Sequence, residues 1–190
     1  MGSPARNRRT LNECGFIARY GQCVPWWANL GKEVQSMAIE LDESSIIKAN
    51  FQFWEQMLAM KLDPLPCADQ FCLESGHALG TVSLSGAWNG QVEIRMDEGL
   101  TNAATAAMLM QPVEAVVEAD ALDATREIAN MIAGVIKSSL PRPCVMTVPE
   151  VAIKLEQFCG QMRNEHSVAV IFQHAAGTMM VRVQMMDRVL

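Results

Sequence analysis

The chain has 190 residues, half of them hydrophobic, enough for one well-buried domain with extra segments. Its formal net charge of −6 hides an asymmetry: residues 1–32 carry five basic and one acidic side chain, leaving ten basic against twenty acidic in the remainder. An acidic body repels phosphate backbones and gives no nucleic-acid footprint, but it suits a partner that exposes Lys or Arg. No apolar run reaches the roughly 18 residues of a membrane span, and the Arg-rich start lacks a signal-peptide core. A cytoplasmic protein without membrane association is expected.

Residues 1–36 show little periodicity. Gly15, Gly21, Pro25 and Gly31 interrupt them, Arg6, Arg8 and Arg9 make a basic arm, and Trp26 and Trp27 add unexplained apolar weight. This stretch is expected to be a weakly ordered extension, with the folded domain spanning 37–190 from Met37. Ser44 or Ser45 caps a predicted helix running to about Leu62, with Ile46, Ile47, Phe51, Trp54, Met57, Leu58 and Leu62 as its buried face. Asp63, Pro64 and Pro66 end it. Two alternating runs follow, GTVSLSG and GQVEIRM, and Asn89-Gly90 between them predicts a hairpin with a tight turn at positive φ. A second helix opens at Thr101 or Asn102 and closes at Pro112.

A third helix runs from Asp120 to Leu140, before Pro141 and Pro143. Leu122, Ala124, Ile128, Met131, Ile132, Val135 and Ile136 give it one apolar stripe. Asp123, Glu127, Asn130 and Lys137 fall on the other side, with Gly134 among them. Gly134 costs about 1 kcal/mol against Ala in a helix interior, and Asn130 is also a poor helix former. The small Ala133 and Gly134 are expected to let another surface come close to Asn130. Spacing alone leaves open that this is an ordinary solvated face. Three strand-like stretches end the chain: CVMTVPEVAIKL, HSVAVIFQ and TMMVRVQMM, the last two joined as a hairpin through Gly177. TMMVRVQMM reads as an exposed edge strand that a dimer would pair. The order implies an α+β fold, a mainly antiparallel sheet with long helices packed on it.

Most familiar chemistry is absent. There is no glycine-rich phosphate loop and no GxSxG elbow. Cys14, Cys23, Cys67, Cys72, Cys144 and Cys159 form no CxxC pair, and with no export signal they read as reduced thiols. His77, His166 and His174 make no ligand grouping, so no metal site is expected.

The stretch REIANMIAGVIKSSL resembles the signature of the CheC and CheX family of chemotaxis phosphatases, a Glu-x-x-Asn pattern followed by a Met-Ile-Ala-Gly run, here Glu127 to Gly134. The flanking order agrees from about residue 40 to the end, including TVPEV after the helix. CheC-type members carry two such motifs. The first helix here has Glu55, Gln56, Met57 and Leu58, with Leu where Asn is required, so the single motif resembles CheX, whose members dimerise through the sheet. The resemblance implies a phosphatase for the aspartyl phosphate of a CheY-type response regulator. It implies that Asn130 orients the attacking water and that Glu127 pairs with a lysine of the receiver. No cofactor or metal is implied on this chain, since the Mg²⁺ belongs to the partner receiver. Two alternatives share these residues: a non-catalytic receiver-binding or dimerisation module, and a structural protein of the flagellar switch. The extension before residue 37 has no counterpart in the family.

Overall fold

A computed structural model describes residues 16–19, 22–25, 42–65, 70–74, 76–161 and 166–186. The chain divides into two units, Met1–Glu40 and Leu41–Leu190, four residues from the expected boundary. In the first, where little regular structure was expected, β1 (Phe16–Arg19) and β2 (Gln22–Pro25) pair antiparallel. Trp26, Trp27 and Met37 lie outside the described residues.

The second unit begins with α1 (Glu43–Leu58). Asp42 rather than a serine caps it: its carboxylate accepts from the backbone N–H of Ser45 at 3.0 Å and from both serine hydroxyls. An acidic acceptor is the better match to the exposed amides and positive dipole end there. The helix stops four residues before the predicted end. Ala59 turns left-handed (φ 53°) and the Met60 N–H closes back on the Trp54 carbonyl.

Short strands β3 (Asp63–Pro64) and β4 (Gln70–Leu73) lead into β5 (His77–Gly86) and β6 (Gly90–Met96). The predicted hairpin is present, but its turn differs. Gly86 takes the positive φ (129°), Asn89 accepts from the Gly86 N–H, and Gly90 already lies in the strand. Gly90 is needed for space, because a Cβ would fall 2.3 Å from the Gln184 carbonyl oxygen.

Helix α2 (Glu98–Leu109) starts earlier than predicted because Asp97 is its cap. The Asp97 carboxylate accepts from Leu100 N–H at 2.8 Å and, through its other oxygen, from Thr178 N–H at 2.6 Å, tying the helix to a distant strand. After a 3₁₀ turn (Val113–Ala115) comes α3 (Glu118–Ser138). It opens at Val117 with no side-chain cap, three residues ahead of the predicted Asp120, which instead sits with Glu118 in the first turn. The predicted CVMTVPEVAIKL strand is two strands, β7 (Cys144–Met146) and β8 (Glu150–Lys154), broken before Pro149. The chain then forms β9 (Phe158–Gln161), β10 (Ser167–His174) and β11 (Gly177–Met185).

The main sheet is antiparallel, in the order β3-β10-β11-β6-β5-β7, and β8 also pairs with β5 beside β7. This corrects one expectation. Strand β11, TMMVRVQMM, is interior: β10 covers one side and β6 the other, so it offers no free edge for a dimer. Its composition gave no warning, because an interior strand and an exposed edge differ only in what lies beside them.

One face of the sheet and helices α1, α2 and α3 enclose the core, with Trp54, Phe172, Ile94, Met96, Leu100, Ile128, Ile132, Ile136 and Met179 fully buried. Strand alternation supplies the sheet side: Ala78, Val82 and Leu84 point inward from β5, and Val92, Ile94 and Met96 from β6. On the opposite face Ala169, Ile171 and Met180 meet Phe71 and Phe158 of the separate β4–β9 ribbon. No helix among the described residues is long and apolar enough to cross a membrane.

Candidate functional site

The candidate site lies on α3, the most extensively anchored helix among the described residues. It touches α1, α2 and strands β5, β6, β7 and β8, so its buried face is wider than the sequence stripe implied. Ala124, Ile128, Ile132 and Ile136 are buried as expected, and Ala121, Thr125, Ala129 and Ala133 are buried with them. At 100° per residue these positions span about half the helix circumference. Leu122, Met131 and Val135 lie at the margins, partly buried. Small residues allow the fit. Gly80 of β5 lies directly beneath α3, where a Cβ would come within 2.9 Å of the Ala129 Cβ. The buried Thr125 hydroxyl is satisfied within the helix, donating to the Ala121 carbonyl at 2.7 Å.

Opposite this anchored half run Asp123, Glu127, Asn130 and Gly134. Glu127 is exposed; Asn130 and Gly134 are partly buried. Glu127 and Asn130 lie about 60° apart and one turn from each other, so carboxylate and carboxamide leave the helix side by side. Asp123 is engaged in an i, i+3 ion pair with Arg126. Among the described residues the side chains of Glu127 and Asn130 make no hydrogen bond or ion pair, so the acceptors of the carboxylate and the donors and acceptors of the carboxamide remain available. Ala133 differs from expectation. It is fully buried, on the side that packs against the rest of the fold, and only Gly134 flanks the pair. A glycine in a helix interior forgoes about 1 kcal/mol of stability relative to alanine.

The other polar concentration is on the far face of the sheet. The Glu93 carboxylate is buried between Arg95 and its cross-strand partner Arg182, each at 2.5 Å. Burial pushes its pKa up, but hydrogen bonds from Arg182 and Arg95 and their charges outweigh this and hold it below the usual carboxylate value. Phe158 lies over the Arg95 guanidinium, 3.9 Å from ring centroid to carbon. Arg95 also donates to Nε2 of buried His77, which leaves the His77 Nδ1 proton for the Glu74 carbonyl at 3.0 Å. Every member is engaged by another, as in a structural clamp. Strand alternation in VEIR and MVRV held the signal, since it sets Glu93, Arg95 and Arg182 on one face.

Among the described residues no three His, Cys, Asp or Glu side chains converge as a metal site would require. The cysteines depart from expectation: Cys72 and Cys159 form a disulfide between β4 and β9, and Cys144 is free. The two are 87 residues apart in sequence and meet only through the strand register.

Three helices on one face of this antiparallel sheet, with a long central helix offering its outer row, define a CheC/CheX-like fold, and solved structures bear this out. A chemotaxis protein CheX from Vibrio vulnificus superposes with a TM-score of 0.60 at 20% identity, covering 76% of this chain and 95% of that one. A CheC-like superfamily protein from Shewanella sp. PV-4 gives 0.61 at 19%, covering 76% and 96%. The CheX of a CheX–CheY–BeF3–Mg²⁺ complex from Borrelia burgdorferi gives 0.55 at 17%, covering 76% and 97%. No curated protein matches the sequence significantly. The family model for chemotaxis phosphatase CheX matches residues 78–173, from β5 into β10 and through the whole of α3. The chain belongs to the CheX family.

Proposed function

We propose that this chain dephosphorylates the aspartyl phosphate of a CheY-type receiver domain, and that Asn130 and Glu127 carry the work. The observation that supports this most directly is a pair of side chains with unspent hydrogen-bonding capacity on the outer row of an otherwise fully anchored helix. Family membership and the receiver-bound relative from Borrelia burgdorferi support the partner. A receiver partner also sets the working compartment as the cytoplasm.

An aspartyl phosphate is an acyl phosphate, already activated toward water. Hydrolysis bonds a water oxygen to phosphorus and breaks the bond from phosphorus to the aspartyl oxygen. It releases inorganic phosphate, a free carboxylate and a proton. A Mg²⁺ held by the partner receiver would supply charge neutralisation at the phosphoryl oxygens. What this chain adds is position. The Asn130 carboxamide accepts from and donates to the water and holds it in line with phosphorus, without competing as a nucleophile. Glu127 pairs with a receiver lysine and fixes how α3 is seated. Both groups ride on a helix held from below, which keeps their geometry set before the partner arrives. For the accompanying homodimer, a sheet-mediated contact would use the outer strands β10 and β3 or β7 and β8 rather than β11.

The test is the decay of phosphorylated receivers from the same genome, with and without catalytic amounts of the protein. Acceleration well above spontaneous decay, with many turnovers per molecule, is expected. Stoichiometric binding without turnover would favour a non-catalytic receiver-binding module. No effect on any receiver would refute the assignment.

A further inference from the structure

Gly134 has no structural reason to be glycine. It lies inside α3, more than one turn clear of the cap at Ser139, and its φ is not among the positive ones. It does not open room for packing within the chain either: a Cβ there would meet nothing within 4 Å. The contrast with other glycines is sharp. A Cβ at Gly80, Gly90, Gly99 or Gly177 would collide with a neighbour at 2.9 Å or less. Residue 134 therefore faces open space, at a place where an alanine would make a better helix.

Its position on the helix supplies a reason. At 100° and 1.5 Å per residue, Gly134 lies between Glu127 and Asn130 in direction, about 6 Å beyond Asn130 along the axis. It continues the very row that meets the partner. We infer that Gly134 is a positioning residue at which main chain of the receiver, beside its phosphorylated aspartate, crosses α3 in close contact. This inference rests on the phosphatase reading above. The missing Cβ lets the two backbones approach to the distance of Cα–H to carbonyl contacts, which sets how deeply α3 seats and hence how far Asn130 reaches. A methyl group at this point holds the receiver off by a fraction of an ångström to about an ångström. A misplacement of that size costs up to about a hundredfold in rate.

The experiment compares wild type, Gly134→Ala and Gly134→Leu for thermal stability and for steady-state dephosphorylation of the receiver the wild type acts on. Gly134→Ala should melt at the same temperature or higher, yet lose about tenfold in kcat, and Gly134→Leu should lose about a hundredfold. KM should move less than kcat, because the Glu127 contact is retained. A lower melting temperature for Gly134→Ala would make the glycine structural and overturn the inference. So would wild-type turnover by both variants, with the phosphatase reading left standing. A wild-type protein that accelerates the decay of no receiver would overturn both.

Discussion

Replacing Asn130 by alanine separates the chemistry of the site from the stability of the fold. The side chain is partly buried on the outer row of α3 and holds no other described residue, so truncation leaves no orphaned partner and opens no cavity. Asparagine is a weaker helix former than alanine by roughly half a kcal/mol, so the variant should be as stable as the parent or slightly more so. Activity should behave differently. Losing one preorganised group that acts in the transition state costs on the order of 10² to 10³ in turnover, about 3–4 kcal/mol. Asn130→Asp should be as damaging despite its matching shape, because a carboxylate cannot donate to the water and repels the phosphoryl group. The assay is phosphate release, or the loss of labelled receiver, at saturating phosphoreceiver, with thermal melts of each variant alongside. Full turnover by a stably folded Asn130→Ala protein would remove Asn130 from the mechanism.

Glu127→Ala should act mainly on association: KM rises about tenfold while kcat changes little, and the wild-type KM rises with ionic strength in a way the variant's does not. Glu93→Gln should destabilise the fold by about 3–5 kcal/mol at neutral pH by leaving two arginines short of a buried charge. Because the folded pKa of Glu93 is depressed, its contribution is complete above the ordinary carboxylate value of 4.5 and is lost as pH falls through the lower folded value. Urea melts from pH 7 to 3 should show that acid-side slope in the wild type and lose part of it in Glu93→Gln. Reducing the Cys72–Cys159 bond, which closes a loop of 87 residues, should lower stability by about 2–4 kcal/mol. Phosphatase activity of the still-folded protein should persist, since the ribbon covers the sheet face opposite α3; equal loss of activity on reduction would contradict that separation.

What could be read from the sequence was whatever depends on local period. The three helices, the hairpins β5–β6 and β10–β11 and the outward pairing of Glu127 with Asn130 all follow from spacing. Helix ends were less readable, because caps are settled by single acceptors: Asp42 and Asp97 prevailed over nearby Ser and Thr, and Ala59 ended α1 early. Features made by distant contacts were out of reach. Whether β11 is an edge depends on β6, the disulfide depends on the β4–β9 register, and the burial of Ala133 depends on neighbours of α3 that no periodicity names. Glu127 and Asn130 are proposed as the site only because a family resemblance gave the exposed row a partner; periodicity alone left it a polar face.

The contact between Gly80 and Ala129 has a consequence for how this surface can change. The outer row of α3 is separated from the sheet by one helix diameter, about 10 Å, and by nothing soft. Any side chain introduced at Gly80 would have to lift α3 or deform β5, and a lift of α3 would carry Asn130 with it. The floor of the sheet is therefore the datum from which the height of the working surface is fixed. Substitutions hidden in the core can therefore shift the outer row of α3 while every exposed residue stays the same, and on the proposed function they would retune its reach toward a receiver.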